Sequence, residues 1–173
     1  MAPPAARGAR RRRSVGGRTE FDHDFSVAAP IGAVWATITD VERVAPCVPK
    51  ARLTGRAGRD GYNVEITAAI GPFEITAQGT ITLAERDDDA RREVLEVVAG
   101  DADGHPLADV RLTITLTEEG PTTRGAVHSS VEVGGIATLV SDEALDQVAG
   151  EALRRFAANL EALVLRRTPG AAQ

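Results

Sequence analysis

The sequence predicts an α+β fold: one curved antiparallel sheet of about seven strands laid against a single long C-terminal helix, with two short helices after the first strand. Three observations predict it. Strand-like alternation recurs in segments parted by Gly, Pro and Asp turns; each segment has one apolar and one polar side; and helical three-and-four spacing is sustained only at the end, from Ile136 to Val164. Strands and helices that are segregated along the chain leave the sheet one large partner for its dry face, the terminal helix.

The elements follow in order. Residues 1–19 hold Pro, Ala, Gly and six Arg without apolar periodicity, and are expected to be a disordered tail before a domain spanning 20–168, with 169–173 a second tail. Phe21, His23, Phe25 and Val27 alternate with Asp22, Asp24 and Ser26 as a strand does, and Pro30 then opens a short helix through Trp35 and Ile38. Asp40 can cap a second short turn, which Pro46 and Pro49 end. Strands are expected over 51–56, 62–70, 73–83, 92–99, 107–117 and 123–133. The connecting turns are Arg59-Asp60-Gly61, Gly71-Pro72, Asp87-Asp88-Asp89, 101–106 and Glu119-Gly120-Pro121. Gly134 and Gly135 close the last strand. From Ile136 the apolar positions run through Leu139, Leu145, Val148, Ala149, Ala152, Phe156, Leu160 and Leu163, with Ser141 a candidate cap for a later start. Acids gather at the beginning of this segment and arginines at its end, as the helix dipole prefers.

Of 20 basic and 25 acidic residues, six Arg and no acid fall in residues 1–19, so the remainder has 14 basic against 25 acidic residues and a net charge of −11. An acidic body argues against nucleic acid as a partner. The single cysteine, Cys47, excludes an intrachain disulfide and a cysteine metal cluster. With no run of 18 apolar residues and no apolar stretch after the N-terminal arginines, a cytoplasmic protein is expected.

Motifs for catalysis or metal binding are lacking. His23, His105 and His128 show no ligand spacing, and neither HExxH, GxSxG nor a glycine-rich phosphate loop occurs. Structural or solvent roles are expected for all three histidines, a hairpin turn for Asp101-Ala102-Asp103-Gly104, and a packed position for Cys47. No catalytic and no metal-binding residue is assigned. Small residues on the faces assigned to the core (Ala68, Ala77, Gly79, Ala108, Ala149, Ala152) would leave a curved sheet under one helix underfilled, and a ligand could take that space. An alanine-rich chain with its backbones closer together accounts for them equally well.

A set of short segments carries a resemblance. Phe21-Asp22-His23-Asp24-Phe25 with Ala29-Pro30, Val34-Trp35-Ala36, Asp40 to Pro49, Gly71-Pro72-Phe73, Val133-Gly134-Gly135-Ile136-Ala137 and Phe156-Ala157-Ala158-Asn159-Leu160 resemble the carbon monoxide dehydrogenase G-subunit family, over roughly residues 20–166. Asp40 to Pro49 is the most specific segment, and Lys50 stands where family members often carry Gly. The resemblance implies the helix-grip (SRPBCC, START-like) fold and a cavity between sheet and helix for an apolar ligand, a quinone or lipid bound without a covalent link. It further implies a role beside a molybdenum hydroxylase of the carbon monoxide dehydrogenase type, with peripheral contact at the inner face of the membrane.

The walls of such a cavity are expected from the inward positions: Val64, Ile66, Ile75, Ala77, Val110, Leu112, Val127 and Ser129 from the strands, and Val148, Ala152 and Phe156 from the helix. A way in is expected between the Pro46 to Pro49 segment and the helix. The leading expectation is a non-catalytic binding module; the alternatives are an enzyme of the polyketide cyclase type and a ligand-free structural adaptor.

Overall fold

The computed structural model describes residues 14–15, 18–70 and 72–167. Its strands are β1 (Ser14–Val15), β2 (Arg18–Val27), β3 (Ala51–Arg56), β4 (Gly61–Ile70), β5 (Phe73–Asp87), β6 (Arg92–Gly100), β7 (Pro106–Glu119) and β8 (Thr122–Val133). The helices are α1 (Ile31–Ile38), α2 (Val41–Val44) and α3 (Asp142–Arg167), with 3-10 turns at Ala45–Cys47 and Gly135–Leu139.

All strand pairs are antiparallel, in the order β1-β2-β8-β7-β6-β5-β4-β3. Neighbours from β3 to β8 are joined by hairpins. The exception is the pairing of β2 with β8, which sends the chain from one side of the sheet to the other through α1, α2 and the first 3-10 turn. The register puts Phe21 opposite Ser129, His23 opposite Val127 and Phe25 opposite Gly125, and carries the same face through Leu112 and Leu95 to Leu83. The expected α+β sheet-and-helix architecture is the one observed, with β1 adding a two-residue strand at the edge.

Three local differences have physical reasons. Residues 14–15 and 18–19, expected from the sequence to belong to a disordered tail, pair as strands. Arg18 anchors them, its Nε donating to Ser130 Oγ at 2.8 Å and its Nη2 to the Ser130 carbonyl at 2.9 Å. The rest of the expected tail, 1–13 and 16–17, lies outside the described residues. The strand expected to end at Leu83 runs on to Asp87 through an irregularity between Leu83 and Glu85, which absorbs an extra residue without ending the ladder. Finally, Ile136 and Leu139 precede α3 instead of lying on its buried stripe. Gly135 takes a left-handed φ of 57°, the next residues form the 3-10 turn, and the helix starts after Ser141, whose Oγ accepts from the Ala144 amide at 3.1 Å.

Lys50 has φ 57° in the turn into β3, a conformation that glycine adopts without a Cβ clash. A backbone of this shape explains why glycine suits this position. Asp40 caps α2 as expected, its side chain accepting from the Arg43 amide.

The fully packed core lies between α1, the C-terminal half of α3 and the ends of β2 and β7. Val27, Val34 and Leu160 are completely buried there, with Trp35, Ile38, Leu116 and Val164 nearly so. Phe25 lies against Gly125, where any side chain would collide with the ring, and meets Phe156 edge-on at 5.9 Å between ring centroids.

Candidate functional site

Period-two side-chain alternation sends Ile66, Ile75, Ala77, Val110, Leu112, Val127 and Ser129 to the side of the sheet that α3 covers, together with Val64. Val64 is buried at 4% exposure, while the other seven are only half-buried. From above, Val148, Ala152 and Phe156 on α3 are half-buried as well. The eleven expected wall residues therefore belong to the sheet face and the helix that oppose each other. Of the small residues assigned inward, Ala68, Ala77, Gly79, Ala108 and Ala152 are half-buried, but Ala149 is exposed because it lies on the solvent side of α3.

Half-burial here has a structural cause. The closest approaches of α3 are to β2, to α1 and the 3-10 turn Ala45–Cys47, and more sparsely to β4. At the C-terminal half of α3, α1 fills the gap between helix and sheet; toward its N-terminal half, among the described residues, only the short 3-10 turn Gly135–Leu139 lies by the sheet, against β7. Apolar side chains on a covered face are thus left within reach of solvent.

The expected way in is tied down: Asn159 Nδ2 on α3 donates to the Cys47 carbonyl at 3.0 Å, and Cys47 is 3% exposed. Burial pushes its thiol pKa up, with Arg166 pulling weakly the other way, as suits a packed residue. The exposed large apolar side chains instead include Ile136 and Leu139, just before α3, and Phe73, at the β4–β5 turn. Strand directions put all three at the end of the sheet away from α1.

One polar pair interrupts the apolar face. His23, 8% exposed, points from β2 toward α3, where its Nε2 lies 2.9 Å from Asp146 Oδ1. The helix passes closely over the ring, so that a methyl group on Gly150 would sit 3.7 Å from it. Asp146 Oδ1 is buried yet makes no aligned hydrogen bond; the contact is close enough for an ion pair but poorly directed. His23 and Asp146 are separated by most of the chain, and the sequence offers no spacing that would join them.

A second buried charge lies near α1. Glu93, 1% exposed, accepts through Oε2 from Arg86 Nε at 3.1 Å and Nη2 at 3.0 Å, while its Oε1 has no partner. Burial raises the carboxyl pKa, and the Arg86 hydrogen bond and charge oppose that rise. Arg86 Nη2 also donates to the Thr39 carbonyl at 2.9 Å, and Trp35 Nε1 donates to Asp88 at 2.9 Å, so this network fastens α1 to β5 and its turn.

The remaining histidines lie elsewhere. His128, on the outer face, bridges Asp22 at 2.7 Å and Glu20 at 3.0 Å. Asp101, Asp103 and His105 cluster in the turn from β6 to β7, where Asp101 accepts from the amides of His105 and Asp103, both at 2.9 Å, and those bonds lower its pKa. This is the hairpin turn expected from the sequence. A separate groove of about 790 Å³ opens on the outer side of the sheet beside Arg52, Asn63, Gln78, Thr80 and Val98; of the eleven expected wall residues it shares only Val64.

A family model described as the carbon monoxide dehydrogenase G subunit (CoxG) matches residues 24–164. None of the curated proteins matches the chain in sequence. Among solved structures, a conserved protein from Geobacillus kaustophilus superposes with a TM-score of 0.74 at 17% identity, over 85% of this chain and 95% of that one. A START superfamily protein from Mycobacterium smegmatis gives 0.58 at 16% identity, over 86% and 99%. The Zhui aromatase/cyclase of Streptomyces sp. R1128 gives 0.62 at 16% identity, over 89% and 98%. At such identities the likeness is one of fold, the START-like helix-grip. Among the described residues no helix is long and apolar enough to cross a membrane.

Proposed function

The chain belongs to the carbon monoxide dehydrogenase G-subunit (CoxG) family, and from that premise we propose that it is a non-catalytic carrier of an apolar small molecule. The observation that carries this reading is the half-buried apolar face beneath α3. Ile66, Val110, Leu112 and Val127 remain within reach of solvent although a helix covers their side of the sheet. Leaving such surface wet forgoes about 25 cal/mol for each Å² not buried, and a bound apolar molecule recovers it. A long molecule with little charge, such as an isoprenoid quinone or a lipid, suits these walls. The family supports two finer statements: the partner is a molybdenum hydroxylase of the carbon monoxide dehydrogenase type, and the carrier works peripherally at the inner face of the membrane that holds its ligand.

A second reading, an enzyme of the polyketide cyclase kind, draws on one observation, the His23–Asp146 pair on the covered face of the sheet. One experiment addresses both. The protein is expressed with membranes present and its intact mass is measured under non-denaturing conditions, before and after extraction with organic solvent. Carriage predicts a mass excess that extraction removes and that the same compound, added back, restores unchanged. A compound returned with altered mass supports turnover. A protein that carries no excess and does not bind a decyl-substituted benzoquinone is an adaptor.

A further inference from the structure

The His23–Asp146 pair is poorly explained as a stabilising contact. Burying an imidazole and one oxygen of a carboxylate is costly, and apolar side chains of similar volume commonly serve stability as well or better. Across the sheet from His23 lie Val127 and then Ile114, and Phe21 and Phe25 flank it along β2, all apolar. Asp146 Oδ1, buried and without an aligned donor, keeps accepting capacity that no group of the described residues uses fully. Ser129, half-buried on the same face, is the diagonal neighbour of His23 across the β2–β8 pair, about 7–8 Å away on a regular ladder.

We propose that His23, Asp146 and Ser129 form a polar station on the half-buried apolar face beneath α3 that binds the oxygen-bearing head of the ligand. Resting on the carrier reading above, this narrows the ligand to one class: a largely apolar molecule ending in a carbonyl or hydroxyl, as opposed to a plain hydrocarbon or a charged metabolite. The imidazole and the serine hydroxyl can donate to a carbonyl oxygen, and Asp146 Oδ1 and Ser129 Oγ can accept from a hydroxyl. Asp146 also holds the His23 ring from the helix side. Against an apolar surface a few such groups orient a ligand that shape alone would leave free to slide.

The test compares two fluorescent probes of equal length, a 2-acylnaphthalene with a ten-carbon chain and the matching 2-alkylnaphthalene, which lacks the oxygen. The unaltered protein is expected to bind the ketone at least about tenfold more tightly, the order of one well-made buried hydrogen bond. His23→Phe and Asp146→Asn are each expected to bring that ratio close to one. As a measurement needing no substitution, the His23 ring nitrogens should shift in nitrogen-15 spectra on adding the ketone and stay put with the hydrocarbon. Should His23→Phe not fold, Asp146→Asn and these spectra decide. A ratio that survives in the folded variants, or ring signals indifferent to the ketone, overturns the station but leaves the carrier standing. Failure of both probes to bind overturns the two together.

Discussion

The two ends of the sheet's covered face use the same kinds of side chain and pack them differently. Near α1, Val27, Val34, Leu160 and Val164 are 0–2% exposed. Toward the N-terminal half of α3, Val110, Leu112, Val127, Val148 and Ala152 are only half-buried. The difference is one of layers, because α1 and the 3-10 turn Ala45–Cys47 fill the angle between α3 and the sheet at one end, whereas at the other the 3-10 turn Gly135–Leu139 lies against β7 and leaves the neighbouring strands half-buried. One end holds the domain together; the other is left able to accept a guest.

Substitutions should separate the two ends. Leu160→Ala, at the packed end, is expected to cost about 2–5 kcal/mol and to lower the denaturation midpoint more than any change in the open half. A loss below about 1 kcal/mol would erase the distinction. At the boundary, Phe156 is half-buried and touches Phe25 edge-on, so Phe156→Ala should cost about 2 kcal/mol, less than the roughly 3–5 kcal/mol typical of a fully enclosed phenylalanine. Chemical denaturation of both variants side by side measures the gradient.

In the open half, added volume should be tolerated. Ala152→Phe and Ala77→Phe are each expected to change stability by less than about 1 kcal/mol, against the roughly 1–3 kcal/mol that overpacking costs a filled core, and to weaken displacement of a bound probe by a quinone analogue. Unchanged binding in both folded variants would place the ligand elsewhere or remove it.

The smallest effect belongs to the outer face. The hydrogen bond to Asp22 raises the His128 pKa above its ordinary 6.5, burial acts against this, and the charges of Asp22 and Glu20 add to the rise. A histidine raised on folding contributes stability that is fully present below about pH 6.5 and is lost as pH climbs through the higher folded-state value. His128→Gln should flatten the stability profile in that window by less than about 1 kcal/mol, since solvent reaches both partners. An identical profile in the variant would show that the bridge contributes nothing.

Much of this was legible from the order of residues. Alternation across 62–70, 107–117 and 123–133 marks the strands because one side of each is aliphatic and the other carries Glu, Arg and Thr. Ser141 marks the start of α3, although the apolar spacing from Ile136 onward, which belongs at first to the 3-10 turn Gly135–Leu139, obscures it. The partners of His23 and Glu93 leave no such trace. His23 reads as one more strand position until Asp146 is brought over it, and Glu93 as an ordinary surface acid until α1 and Arg86 enclose it.

Periodicities of two or 3.6 residues and local turn chemistry were enough to specify the strands, their turns, the inward set of side chains and the terminal helix. How deeply each inward residue is buried, which end of the covered face stays open and which charges meet there emerged with the packing of the elements. Those outcomes depend on where α3 crosses the sheet and how far α1 reaches beneath it, and such distances arise between segments that the chain keeps far apart.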